Sequence, residues 1–96
     1  MIVKTLNGEL VNMDKVMFVE QVQEDNTWFI DAIFDCDTER ENKKYINLFS
    51  TEEDWDRQDM FDAFCRAVGR GENYFAFSVE NMLKQRNLRR VRVNDV

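Results

Sequence analysis

From Thr51 to Val68 the apolar residues recur at helical spacing, and this stretch constrains the fold most. Phe61, Phe64 and Val68 share one face of a helix read over 51–68. Glu52, Asp56, Asp59 and Asp62 fall on the opposite face, with Trp55 beside them. At 100° per residue, Trp55 stands roughly 120° or more from the phenylalanines, so the helix cannot readily hide its indole. Both ends are signalled. Ser50-Thr51-Glu52-Glu53 fits a capping box, in which a hydroxyl and a carboxylate satisfy free backbone donors. Glu52, Glu53 and Asp54 place negative charge in the first turn, where the helix dipole favours it. Gly69 stands where a left-handed residue would stop the helix.

The chain before this helix reads as extended. Asn7-Gly8 separates Ile2–Leu6 from Glu9–Asn12, and this pair suits a two-residue type I′ hairpin turn. A break at Met13-Asp14-Lys15 precedes a third strand over 16–22, and Glu24–Thr27 is a polar loop. In the next strand, Trp28, Ile30, Ala32 and Phe34 alternate onto what should be the core face. Residues 37–42 form a charged loop tip. The strand over 44–49 then puts Ile46 and Leu48 on one face, and Tyr45, Asn47 and Phe49 on the other. Beyond Gly71 the pattern weakens. Tyr74–Phe77 suggests a short strand and Ser78–Asn81 a cap for a second helix reaching about Arg86. Leu88–Val93 reads as a last strand or a basic tail over 84–96. The expected fold is therefore one α+β domain over residues 1–96: an antiparallel sheet of four or five strands, with one main amphipathic helix packed on one face.

Ninety-six residues allow one modest core, for which eight Phe and two Trp supply most of the bulk. No apolar run approaches the roughly 20 residues of a membrane span, and Met1–Lys4 reads as a strand and not as a signal peptide. Two cysteines are too few for a disulfide framework, and reduced thiols in a cytoplasmic protein are expected. The net charge of −6 is uneven. Residues 1–69 carry 16 acids and 7 bases, whereas residues 71–96 carry three acids and five bases. Such a body repels polyanions at long range, so direct binding of nucleic acid or membrane is not expected.

The chain has no histidine, which removes the commonest general base and the Ser-His-Asp and Cys-His arrangements. Cys36 lies between Asp35 and Asp37, where negative charge weakens a thiol nucleophile. Cys65 is expected on the apolar side of the helix, beside Phe61 and Phe64. The run from Asp35 to Glu41 spaces carboxylates like a calcium loop, but Arg40 stands where that loop needs glycine and Ile46 where it needs glutamate. No metal, cofactor or enzymatic activity is expected. The basic end offers Arg86, Arg89, Arg90 and Arg92 as candidate anion-binding residues, with Tyr74 or Phe75 as a stacking partner. The more ordinary reading pairs them with acids elsewhere in the fold or on a second subunit. The sharper surface is the helix. Glu52, Trp55, Asp56, Asp59 and Asp62 are the candidate partner-binding residues, because a tryptophan among carboxylates makes an interface anchor.

Two stretches carry a resemblance: residues 2–16, Ile2-Val3-Lys4-Thr5-Leu6-Asn7-Gly8-Glu9-Leu10-Val11-Asn12-Met13-Asp14-Lys15-Val16, and Tyr45-Ile46-Asn47-Leu48-Phe49-Ser50-Thr51-Glu52-Glu53. Their order resembles small single-domain proteins of phages and other mobile elements, over about the first two thirds of the chain. The resemblance brings no catalytic motif. It implies a non-enzymatic, acidic inhibitor of the anti-CRISPR kind, occupying the basic nucleic-acid groove of a host protein. Two alternatives stand beside it: a self-associating structural protein that forms a homodimer, and a small-ligand or nucleic-acid binding domain using the basic end.

Overall fold

A computed structural model describes the backbone of residues 1–37 and 42–94, and the side chains of residues 1–34 and 44–91. Strands β1 (Ile2–Lys4) and β2 (Leu10–Asn12) form the expected hairpin, with Val3 opposite Val11. Its turn differs from the expected one. The Gly8 N–H donates to the Thr5 carbonyl (2.9 Å) and the Thr5 N–H to the Glu9 carbonyl (2.8 Å). Gly8 takes a left-handed φ of 89°, whereas Asn7 does not have a positive φ. This is the three-residue connection that ends in a left-handed glycine, and not type I′. Thr5 is buried beneath it, its hydroxyl satisfied by the Glu9 N–H at 3.1 Å.

A 3₁₀ turn at Met13–Lys15 breaks the chain away from the hairpin, with the Asn12 side chain accepting from the Asp14 N–H. Strands β3 (Phe18–Glu24), β4 (Thr27–Asp37) and β5 (Asn42–Thr51) then form an antiparallel meander. Ile30 and Ala32 lie in the core as their alternation requires. In β5 the alternation fails. Ile30 pairs with Phe49 and Asp31 with Asn47, so Leu48 is an extra residue in a bulge, and both Leu48 and Phe49 are buried. The bulge also joins the two sheets, because the Leu48 carbonyl accepts from the Leu6 N–H at 2.9 Å. The charged tip expected over 37–42 lies largely outside the described residues, as do the side chains of Asp35, Cys36 and Asp37 with their calcium-loop pattern.

Helix α1 (Asp54–Gly69) follows β5 directly. The Ser50 capping box does not form. Ser50 and Thr51 are held in the ladder opposite Phe29 and Trp28, so Glu53 becomes the N-cap, and the Thr51 hydroxyl accepts from its N–H. At the other end Gly69 is the last helical residue, and Gly71, at φ 70°, takes the left-handed position. The Gly71 N–H donates to Val68 and the Glu72 N–H to Ala67, the paired bonds of a Schellman stop.

Strand β6 (Tyr74–Ala76) then joins the first sheet parallel to β1, giving the order β2-β1-β6 and a row Val11–Val3–Phe75 that faces inward. Helix α2 (Val79–Asn94) completes the fold, its start capped by the Ser78 hydroxyl, which accepts from the Asn81 N–H at 3.1 Å. The molecule is α+β, as expected. The single sheet under one helix is replaced by two three-stranded sheets and two helices among the described residues. The 3₁₀ break divides the sheet. The proposed tail or last strand over 84–96 is helix through Asn94, because Met82, Gln85, Arg86 and Arg89 recur at helical spacing against α1.

One core lies between the sheets and α1. Phe49, Phe64, Phe75 and Phe77 meet there, with ring centroids 4.9 to 5.9 Å apart. No helix among the described residues is long and apolar enough to cross a membrane.

Candidate functional site

The buried stripe of α1 is Asp56, Met60, Ala63, Phe64 and Ala67. It follows the spacing i, i+4, i+7, i+8, i+11 and is rotated from the expected face of Phe61, Phe64 and Val68. Val68 and Cys65 are consequently exposed, and Phe61 is only partly covered. The rotation comes from α2. Arg86 on that helix calls for an acid beneath it.

That acid is Asp56, 1% exposed. Arg86 Nε donates to Asp56 Oδ1 at 2.7 Å, and a second guanidinium nitrogen donates to Oδ2. The fork geometry satisfies both carboxylate oxygens, as burial of this charge requires. The hydrogen bond to Asp56 holds the Arg86 guanidinium above its ordinary value. Asp56 is therefore not a partner-binding residue. One turn along each helix, Arg89 Nη1 lies 3.0 Å from Asp59 Oδ2. Arg86 and Arg89 are thus engaged inside the molecule and do not form a free anion site. Arg90 is exposed, and the Arg92 side chain lies outside the described residues.

Trp55 remains on the surface at 59% exposure, as the helical spacing predicts. The Arg89 guanidinium carbon sits 5.5 Å from the ring centroid, so the cation that binds Asp59 also backs the indole. Glu52 and Asp62 are exposed, and Asp59 is partly covered. The observed surface is Glu52, Trp55 and Asp62, with Asp59 at its inner margin. Sequence reasoning missed Arg89 as the residue supporting the indole; a cation at helical spacing from Arg86 was the available signal.

The start of α1 is pinned to the meander by Arg57. Its Nε donates to Asp54 Oδ1 at 3.1 Å, its Nη1 to Gln21 Oε1 at 2.8 Å, and its guanidinium carbon lies 4.2 Å from the Trp28 centroid. The hydrogen bond from Arg57 holds the Asp54 carboxyl below its ordinary value. Desolvation, with the Asp62 carboxylate behind it, pushes the Cys65 thiol up, so it remains protonated near neutrality. Among the described residues, no three acidic or thiol side chains converge to hold a metal ion. No family model, curated protein or solved structure matches the chain.

Proposed function

We propose that the protein is a non-enzymatic binding module that docks a partner with a basic surface through Glu52, Trp55 and Asp62. The observation that carries this reading is the exposed indole of Trp55, backed by Arg89 and bordered by carboxylates. An aromatic ring already held in place loses little freedom on binding and supplies a large contact area. The surrounding acids steer a basic partner and select against an acidic one. The concrete version is an inhibitor of a nucleic-acid-processing protein, in which these carboxylates occupy a groove that otherwise holds phosphates.

The test is capture of the partner from source-cell lysate by the wild-type chain, compared with Trp55→Ala combined with Asp62→Lys. Both positions are exposed, so the variant should keep its fold, checked by circular dichroism. The reading expects one partner retained by the wild type, lost by the variant, and displaced by added nucleic acid. Equal retention by the two proteins refutes the surface. Retention that nucleic acid cannot displace refutes the inhibitor version.

A further inference from the structure

On a different part of the molecule, a groove of about 690 Å³ runs between the end of α1, β6 and α2. Lys4, Arg66, Arg70 and Lys84 line it, with Glu72 and Glu80 as the only carboxylates among the described residues that do so, giving a positive groove in a chain of net charge −6. Arg70 lies 3.8 Å from Glu72, with both side chains well solvated. Lys4, Arg66 and Lys84 form no ion pair among the described residues. By contrast, Arg57, Arg86 and Arg89 each lie against an aspartate. Acids outnumber bases 19 to 13 here, so cations gathered from three elements without acidic partners call for an anion.

The other groove residues describe the remainder of the ligand. Ala63, Ala67 and Phe75 give an apolar floor, and Tyr74, 52% exposed, borders the groove at the edge of β6. Gln85, 9% exposed, is held in one orientation. Its Nε2 donates to Asn81 Oδ1 at 3.1 Å, and Asn81 Nδ2 donates to the Ala76 carbonyl at 2.7 Å. The Gln85 carbonyl oxygen has no protein partner among the described residues, and an amide so placed can read donors on a planar base. The volume is in the range of small-molecule sites, roughly 300–1,000 Å³. The acidic body opposes a long polyanion. We infer that this groove binds a nucleoside 5′-phosphate, with the phosphate on Arg66 and Lys84, and the base against Tyr74 within reach of Gln85.

The experiment is a nuclear magnetic resonance titration of the ¹⁵N-labelled chain with AMP, GMP, CMP and UMP, with inorganic phosphate as the control. The inference expects at least one nucleotide to saturate with a Kd below about 1 mM, shifting Ala67, Phe75 and Gln85. Phosphate alone should bind about tenfold more weakly or worse. Arg66→Glu combined with Lys84→Glu alters two exposed side chains and should weaken the nucleotide at least about tenfold. Tyr74→Ala should reduce nucleotide affinity toward that of phosphate. Trp55→Ala should leave it unchanged, which keeps this site separate from the docking surface. No saturable shift with any nucleotide, or unchanged affinity in the double charge variant, overturns the inference. So does tighter, steeply salt-dependent binding of an oligothymidylate about eight nucleotides long.

Discussion

At the scale of single residues, the Asp56–Arg86 pair is unequal, because Asp56 is 1% exposed and the Arg86 side chain 35%. Removing the arginine leaves a largely buried carboxylate without its cation. Removing the aspartate leaves a guanidinium that can turn outward. Stranding a buried carboxylate costs roughly 3–5 kcal/mol. Urea denaturation should therefore show Arg86→Ala to be more damaging than Asp56→Ala, and Asp56→Ala/Arg86→Ala less damaging than Arg86→Ala alone. Asp54 has a different signature. Arg57 holds its carboxyl below the ordinary value of 3.8, so the folded state favours its ionised form. The resulting stability is complete above the unfolded value and is lost as pH falls through the folded one. Melting temperatures of the wild type and Asp54→Asn should differ near neutrality and converge in acid below pH 3.8.

At the scale of elements, the two glycines at the end of α1 separate two physical roles. Gly71 has φ 70° and open space where a methyl group would stand, so strain alone opposes a side chain. Gly71→Ala should destabilise by about 1 kcal/mol. Gly69 is helical and equally open, so Gly69→Ala should stabilise by about 0.5 kcal/mol. Paired denaturation curves check both signs. The sequence made the helix and both early strands legible through local spacing and turn residues. The helix ends and faces are decided by tertiary pairing, which local spacing does not carry. Ser50 caps well in isolation, yet the β4–β5 ladder holds it. The Leu48 bulge reverses a face that strict alternation would set. Asp56 looked like a surface acid because the arginine that buries it is 30 residues away. Arg89 stands at helical spacing from Arg86, but its contact with Trp55 crosses between two helices and is not carried by local spacing.

At the scale of the whole molecule, Phe77 joins the pieces. It is fully buried, its ring lies 4.9 Å from Phe75, 5.4 Å from Phe64 and 5.9 Å from Phe49, and its N–H donates to the Lys4 carbonyl. These contacts connect β5, α1 and β6 in one core. Phe77→Ala should cost about 3–5 kcal/mol, a large share of the stability of a small domain. Leu10→Ala, at a position 69% exposed, should change stability by no more than about 0.5 kcal/mol. Chemical denaturation of both variants tests whether the core is one cooperative unit. On that core α2 braces α1 from the side, pairing Asp56 and Asp59 with arginines and leaving Glu52, Trp55 and Asp62 exposed. The most direct measurement is the Kd of the purified partner for the wild type and for Trp55→Ala, at low and moderate salt. The account predicts at least about a thirtyfold loss on removing the indole, as for an interface hot spot, and weaker wild-type binding at the higher salt. Equal affinity of the two proteins, at both salt concentrations, would contradict it.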